Sequence, residues 1–343
     1  MKRLLNKTVI VALALMLIGG TAFGIDFDTM QSSFGDFSDD IAQALPQAST
    51  TGLTWSDARV RGFPHFGVGL SFGIVTIPND AFTDLAGPDG LDVDLPKAIT
   101  DTNLGVPFPT YALDARVGIP FLPIDVGAKL GVLTPGMADS LGGDTAADYM
   151  LAGFDVRYPL LKGRLIIPAI SVSAGYNYLS GGITTTIKDA ANLTSINVGE
   201  DIDGLADDTT ISATDPDLRL GWKTHSMDFK VQASQSLLIF TPYIGGAYTY
   251  GWSEAGGGVY SDIEITGTGG YSKDDVKDAL DKAGYDVDLS NDGFTVLSGA
   301  NGGAFRAFGG FSVNLLILKL DLNGQYNFNT QSLGGGINAR IQL

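Results

Sequence analysis

The chain has 343 residues, no cysteine and a formal net charge of −17 at pH 7. Without cysteine there are no disulfides, thiol catalysis, thiolate metal sites or lipid-modified N-terminal cysteine. The acidic balance excludes nucleic acid as a partner, because phosphate backbones require a basic footprint.

Lys2, Arg3 and Lys7 precede and flank an apolar run from Val9 to Ile18, and Ala22-Phe23-Gly24 close it with small residues. This pattern predicts a secretory signal peptide over residues 1–24. The run is too short for the roughly 20 apolar residues of a membrane helix. Residues 25–62 form the next unit. Phe27, Met30, Phe34, Phe37, Ile41 and Leu45 recur at three- and four-residue spacing, which predicts an amphipathic helix ended by Pro46. Its polar face is acidic, so it is expected to pack on protein rather than on anionic lipid.

From Pro64 onward the apolar period becomes two, the period of a strand with two unlike faces. Strand one, 64–77, sets Phe66, Val68, Leu70, Phe72 and Ile74 against Gly67, Gly69, Ser71 and Gly73. Small residues on that polar face suit a tight interior or a segment packed against it. Strands two to five follow at 110–119, 124–133, 148–158 and 165–179, and strands six and seven at 224–235 and 243–252. The last forty residues hold three more, at 304–315, 318–328 and, after 329–331, from Leu333 to Leu343. Each is about 10–13 residues long, close to the 9–11 a membrane-crossing strand needs. Short turns at 120–123, 159–164, 237–242 and 316–317 alternate with long connections at 78–109, 134–147, 179–223 and 253–303, which hold most of the 38 acidic residues. Within the long connections, 183–187 and 193–198 read as a hairpin, and 273–283 as a helix with a Ser272/Asp275 capping box and a Gly284 stop.

The fold class that follows is all-β: a transmembrane, antiparallel, up-and-down β-barrel of about ten strands over 63–343, with a short N-terminal helix. The long acidic loops are extracellular, both chain ends are periplasmic, and 25–62 is a periplasmic helix or a plug in the lumen. A secreted β-sandwich is the competing fold, but connections of this length are uncommon in compact soluble domains. An aromatic girdle near the long-loop ends, including Tyr111, Tyr176, Tyr178, Tyr248, Tyr250, Trp252, Phe305, Tyr326 and Phe328, favours the barrel.

The stretches Ala44-Leu45-Pro46, Gly52-Leu53-Thr54-Trp55-Ser56-Asp57-Ala58 and Pro64-His65-Phe66-Gly67-Val68-Gly69 resemble the start of poorly characterised outer-membrane proteins of spirochaetes. The order of a helix before a barrel is similar to that of FadL-type transporters. The resemblance implies an outer-membrane barrel and no catalytic motif. The chain ends in Leu343 where many outer-membrane barrels end in Phe.

The lumen-facing charges are Asp114, Arg116, Asp125, Lys129, Asp155, Arg157, Asp228, Lys230, Lys319, Asp321 and Arg340. They either select solutes in a pore or form ion pairs that fill a narrow interior, and a ten-strand barrel favours filling or constriction. His65 and His225 have no nucleophile motif beside them, so no enzyme is expected. Asp201, Asp203, Asp207 and Asp208, and Asp286, Asp288, Asn291 and Asp292, lack EF-hand spacing and read as solvated loops; no metal or cofactor is expected. Expected partners are outer-membrane lipid, the barrel-assembly machinery and a small solute. The expected function is a narrow or gated channel for passive passage of small solutes. The alternative is a structural or adhesive surface protein acting through its acidic loops.

Overall fold

The computed structural model describes residues 27–77, 105–133, 145–164, 167–186, 196–197, 204–213, 217–260, 263–283 and 293–343. The expected signal peptide, Gly284 and the acidic runs at 201–203 and 286–292 lie outside them.

Ten strands close into an antiparallel barrel: β1 (Phe66–Ile77), β2 (Val106–Gly118), β3 (Asp125–Leu133), β4 (Thr145–Lys162), β5 (Ala169–Thr186), β8 (Asp217–Ser234), β9 (Phe240–Tyr260), β11 (Gly293–Leu315), β12 (Leu318–Asn327) and β13 (Leu333–Gln342). Neighbours in sequence are neighbours in space, and β1 pairs with β13 to close the sheet, Val68 opposite Ile341. Closure gives every barrel strand a neighbour on each side, as a sheet in hydrocarbon requires.

Burial is inverted relative to a soluble sandwich. Phe66, Val68, Leu70, Phe72 and Ile74 are exposed on the outside, while Asp114, Arg116, Asp125 and Asp155 are buried inside. An apolar exterior around a charged interior is stable only with hydrocarbon outside. With an even strand count and tight turns at one end, this is the architecture of an outer-membrane β-barrel. Aromatic contacts mark the long-loop rim: Tyr248 meets Phe305 at 4.9 Å, Tyr250 meets Trp252 at 4.9 Å and Tyr326 meets Phe328 at 5.2 Å between ring centroids.

Several strands outrun their expected bounds. β5 continues to Thr186, β8 starts at Asp217, β9 reaches Tyr260 and β11 starts at Gly293. The 179–223 and 253–303 connections are therefore shorter than the sequence suggests. The reason is physical. Beyond the apolar band both faces of a strand meet water, so alternation stops signalling it. Outward Lys223 and Glu254 face each other across β8 and β9, just past outward Trp252. The expected 183–198 hairpin is also corrected. Ile183 belongs to β5, whereas β6 (Ile196–Asn197) joins β7 (Thr210–Ala213) and β10 (Ile263–Thr266) in a separate three-stranded sheet.

Two helices are described. Helix α2 (Lys273–Ala283) carries the capping box: the Ser272 amide and hydroxyl donate to Asp275, and the Asp275 amide donates back. These bonds hold the Asp275 carboxyl below its usual pKa. Helix α1 (Phe27–Ala48) does not stop at Pro46. Proline in the last turn forfeits one amide, and the next amides still find carbonyls, Ser49 donating to Leu45 at 2.8 Å. Its last turns lie inside the barrel. Ala42, Leu45 and Ala48 pack against inward Val75, Ala112, Leu151, Leu179 and Ala255.

β3 is short, and β2 pairs with it only as far as Leu113 and Leu130. Above that point Tyr149 of β4 takes over. Its hydroxyl accepts from the Tyr111 amide at 3.2 Å and donates to the Tyr111 carbonyl at 2.9 Å. Pro107 and Pro109, which have no amide hydrogen to offer, sit where β2 has lost this partner. Tyr149→Phe strips both bonds from a buried seam and is expected to destabilise the barrel by about 1–3 kcal/mol. The denaturant midpoint of its heat-modifiable gel mobility measures this, and an unchanged midpoint would show that the seam needs no such bridge.

Candidate functional site

The site is the lumen, and the sequence explains its geometry through parity. Inward positions of β2, β3, β4, β8 and β11 carry charges that meet as a chain around the wall. Asp125 accepts from Arg116 at 2.6 Å and from Arg157 at 2.6 Å and 2.9 Å. Arg116 also reaches Asp155 at 2.7 Å. Lys230 bridges Asp155 at 3.6 Å and Asp228 at 3.7 Å. Asp228 is held by Arg306 at 2.9 Å and by the Thr249 hydroxyl at 2.6 Å. Nearer the short turns, Arg340 pairs with Asp321, both fully buried.

Ten of the eleven residues expected in the lumen are buried. Lys319 is half-buried, opposite Arg340 near the short-turn end. Arg306 belongs to the chain of charges although the expected set omitted it. Its shared parity with Ser312 on β11 was the available signal.

What the sequence set did not contain is the filler. After α1, residues 49–58 run down the lumen, and the wall binds them along their length. Lys129 Nζ donates to the Ser49 and Thr51 carbonyls at 2.6 Å and 2.7 Å. Arg116 donates to the Leu53 carbonyl at 3.1 Å, and Arg157 to the Asp57 carbonyl at 2.8 Å. Gln232 donates to the carbonyls of Trp55 and Ser56 at 2.6 Å and 3.0 Å. In the other direction, the Trp55 indole donates to Asp114 at 2.9 Å and the Ser56 hydroxyl to Asp321 at 3.0 Å. The Trp55 ring is wedged between guanidiniums, 4.8 Å from Arg340 and 5.5 Å from Arg116.

The glycines of β1 make the room. A Cβ on Gly67 would stand 2.8 Å from the Trp55 ring, and one on Gly73 would stand 2.5 Å from the Thr51 hydroxyl. Beside the segment lies a cavity of about 30 Å³, lined by Thr50, Ser71, Arg306, Asn323 and Asn338, which is room for one water. At the short-turn end His65 bonds to the Leu343 oxygen at 2.5 Å and to the Gln342 amide at 3.0 Å. Burial, and then the Arg61 cation, hold its imidazole below the usual pKa, which suits a neutral ring that donates at one nitrogen and accepts at the other.

His225 lies on the outer face, its ring 4.9 Å from Tyr178 and its Nδ1 2.5 Å from the Tyr176 hydroxyl. It belongs to the aromatic rim, not to the lumen. Among the acidic loop residues that are described, Asp208 accepts from the amide and hydroxyl of Thr268. No cluster of metal-ligating residues occurs among the described residues.

No protein family matches the chain, and no curated protein matches it. Solved structures do. The outer membrane protease OmpT from Escherichia coli is 10% identical over 81% of this chain and 95% of its own, with a TM-score of 0.34. A major outer membrane protein from Thermus thermophilus is 12% identical over 81% and 98%, with a TM-score of 0.27. The transport unit of the autotransporter AIDA-I from Escherichia coli is 9% identical over 89% and 99%, with a TM-score of 0.28. These likenesses concern strand architecture alone.

Asp125 is the acceptor shared by two buried guanidiniums. Asp125→Asn is expected to cost about 3–5 kcal/mol, because Arg157 loses its carboxylate partner in a largely dry interior and Arg116 is left with Asp155 alone. Lys319→Gln, at a half-buried position, is expected to cost no more than about 1 kcal/mol. Denaturant midpoints of the two refolded variants test the contrast, and equal midpoints would contradict it.

Proposed function

We propose that this outer-membrane barrel is a gated passage for small acidic solutes, closed at rest by its own residues 49–58. The observation that carries it is what the wall's inward cations bind. Lys129, Arg116 and Arg157 donate to peptide carbonyl oxygens of the segment. A small carboxylate offers the same acceptor oxygens with a full negative charge, which adds to each cationic donor an ion-pair attraction that a neutral carbonyl lacks. Such a solute competes with the segment for its own hooks. Arg116 Nε adds a buried donor with no partner.

Two further features support a filler that can leave. Ten-strand barrels can be filled by their own side chains, yet here glycines on the wall clear space for a separate piece of chain. The bonds between wall and segment are polar, so water can replace them, at a net cost of about 1.5–3 kcal/mol for each bond to a charged group. The acidic loops oppose an approaching anion only over about 8 Å at physiological ionic strength.

The orientation that goes with this function puts the short turns and both chain ends in the periplasm, with insertion by the barrel-assembly machinery. Kinship with spirochaetal outer-membrane proteins and a FadL-like order of helix and barrel belong to the same proposal, which assigns the chain no catalytic step. The second reading, a structural or adhesive surface protein, draws on β9 and β11. At 21 and 23 residues they extend well past the membrane and carry β10 and α2 between them, β10 pairing with β7 of the β5–β8 connection.

The Thr51 and Thr110 hydroxyls lie 2.6 Å apart, so cysteines at both positions are within disulfide reach in a chain that has no other thiol. In planar bilayers the oxidised Thr51→Cys/Thr110→Cys protein is expected to stay closed. Reduction is expected to restore openings with at least about three-fold preference for chloride over potassium. Cation-selective openings would overturn the acidic solute. Openings while the disulfide is intact, or silence after reduction, would overturn the gate.

A further inference from the structure

The four short turns carry an anomaly that neither closure of the barrel nor passage through it explains. Three of them place a large apolar residue at the tip in the left-handed backbone region: Phe121 at φ 66°, Leu238 at φ 53° and Leu316 at φ 55°. That region suits glycine, and a bulky side chain there is a strained choice. These side chains are also as exposed as a side chain can be, at 106%, 100% and 98%. Their neighbours Leu122, Leu237, Ile239 and Ile317 are exposed as well. Turns that hang in water are normally built from Gly, Asn, Asp and Ser. Only the fourth turn follows that chemistry, with Gly163 at φ 66° between exposed Lys162 and Arg164.

We infer that these turns are sunk in the membrane, and that their partner is the lipid of the leaflet at the short-turn end. Two observations identify the occupant. First, the apolar tips continue the lipid-facing strand surfaces without a break: exposed Phe240 follows Leu238, and exposed Leu315 and Leu318 flank Leu316. Second, the spacing fits. A strand rising about 3.3 Å per residue at 35–45° tilt advances about 2.5 Å along the barrel axis, so the roughly 25 Å apolar band spans about ten residues. Counting about ten residues down from the aromatic rim leads from Tyr248 to Leu238, from Phe305 to Leu315 and from Tyr326 to Leu316. The band ends at the tips and leaves no polar strand to stand below the bilayer. Lys162 and Arg164, beside apolar Leu160 and Leu161, then lie at the level of the lipid phosphates, where long cationic side chains can reach.

The inference is independent of what the lumen carries. It is tested on the full-length protein refolded into vesicles, using single cysteines at Phe121, Leu238 and Leu316 labelled with bimane. Asp274→Cys, on exposed α2, serves as the water-facing control. Correct folding is established first by heat-modifiable gel mobility. Lipids brominated on the acyl chain are expected to quench the three tip probes and spare the control. Iodide, present on both sides of the membrane, is expected to quench the tips at least five-fold less than the control. Quenching of all three tips by iodide at the control's level, with no effect of brominated lipid, would overturn the inference and leave the turns as a docking face for a water-soluble partner. Any tip that fails to fold leaves two others to decide, and Leu316→Asp gives an independent readout. It is expected to lower the yield of folding into vesicles, whereas a turn in water would accept the charge unchanged.

Discussion

The structure depends on one constraint: a charged lumen wall from which water is largely excluded must give each buried cation acceptors from within the protein. Arg116, Arg157, Lys230 and Arg306 share Asp125, Asp155 and Asp228 along one side of the barrel. A buried guanidinium left unpaired costs several kcal/mol, and three carboxylates do not exhaust four cations. Peptide carbonyls of residues 49–58 accept further bonds from Arg116 and Arg157. The segment is thus held in place by the wall, and the wall's charges are tolerable because the segment is there.

The segment is also matched to the wall by shape, in two different chemistries. At the long-loop end α1 offers Ala42, Leu45 and Ala48 to an apolar ring made by Val75, Leu151, Leu179 and Ala255. Farther down, the chain leaves helical structure and offers backbone oxygens and Trp55 to the charged zone. Glycines lie opposite the bulkiest pieces: Gly251 faces Pro46, Gly67 faces Trp55 and Gly73 faces Thr51. A helix cannot satisfy charged walls through its backbone, because its carbonyls are already engaged. An irregular strand of chain can. That is a physical reason for the change of conformation at Ala48, more than the proline two residues earlier.

The barrel was legible because hydrocarbon imposes a period of two on every residue that crosses it. Outward Val68, Phe72 and Ile74 against inward Gly69, Ser71 and Gly73 could hardly be read otherwise. The signal failed where the membrane ends. Past Trp252 the chain reads Ser-Glu-Ala-Gly-Gly-Gly, and β9 continues through it although no apolar face marks its path. A plug was one of two expectations for 25–62, but the contacts of residues 49–58 were illegible for a related reason: they have no period, and their role is carried by backbone oxygens that every residue possesses. The glycines of β1 were a trace of their packing in the sequence, pointing to a segment on that face. The lumen charges were found by parity, but parity says nothing of which charge meets which. That Asp125 joins two arginines follows from strand stagger, which only the closed barrel sets.

The filling bears on whether this barrel conducts or merely occupies the membrane. A barrel needed only as a scaffold is best filled with apolar side chains, since replacing buried ion pairs by well-packed hydrophobic residues is often neutral or stabilising by about 1–4 kcal/mol. This interior does the opposite below α1. It keeps arginines, lysines and aspartates on the wall and places a polar, glycine-accommodated piece of chain among them. With the segment in place those charges stabilise no more than leucines could. With it withdrawn, they become a wetted, charged surface, whereas an apolar wall would stay dry and resist ions. That composition suits the proposed gate, whose wall must meet water once the segment leaves, better than it suits a permanent scaffold.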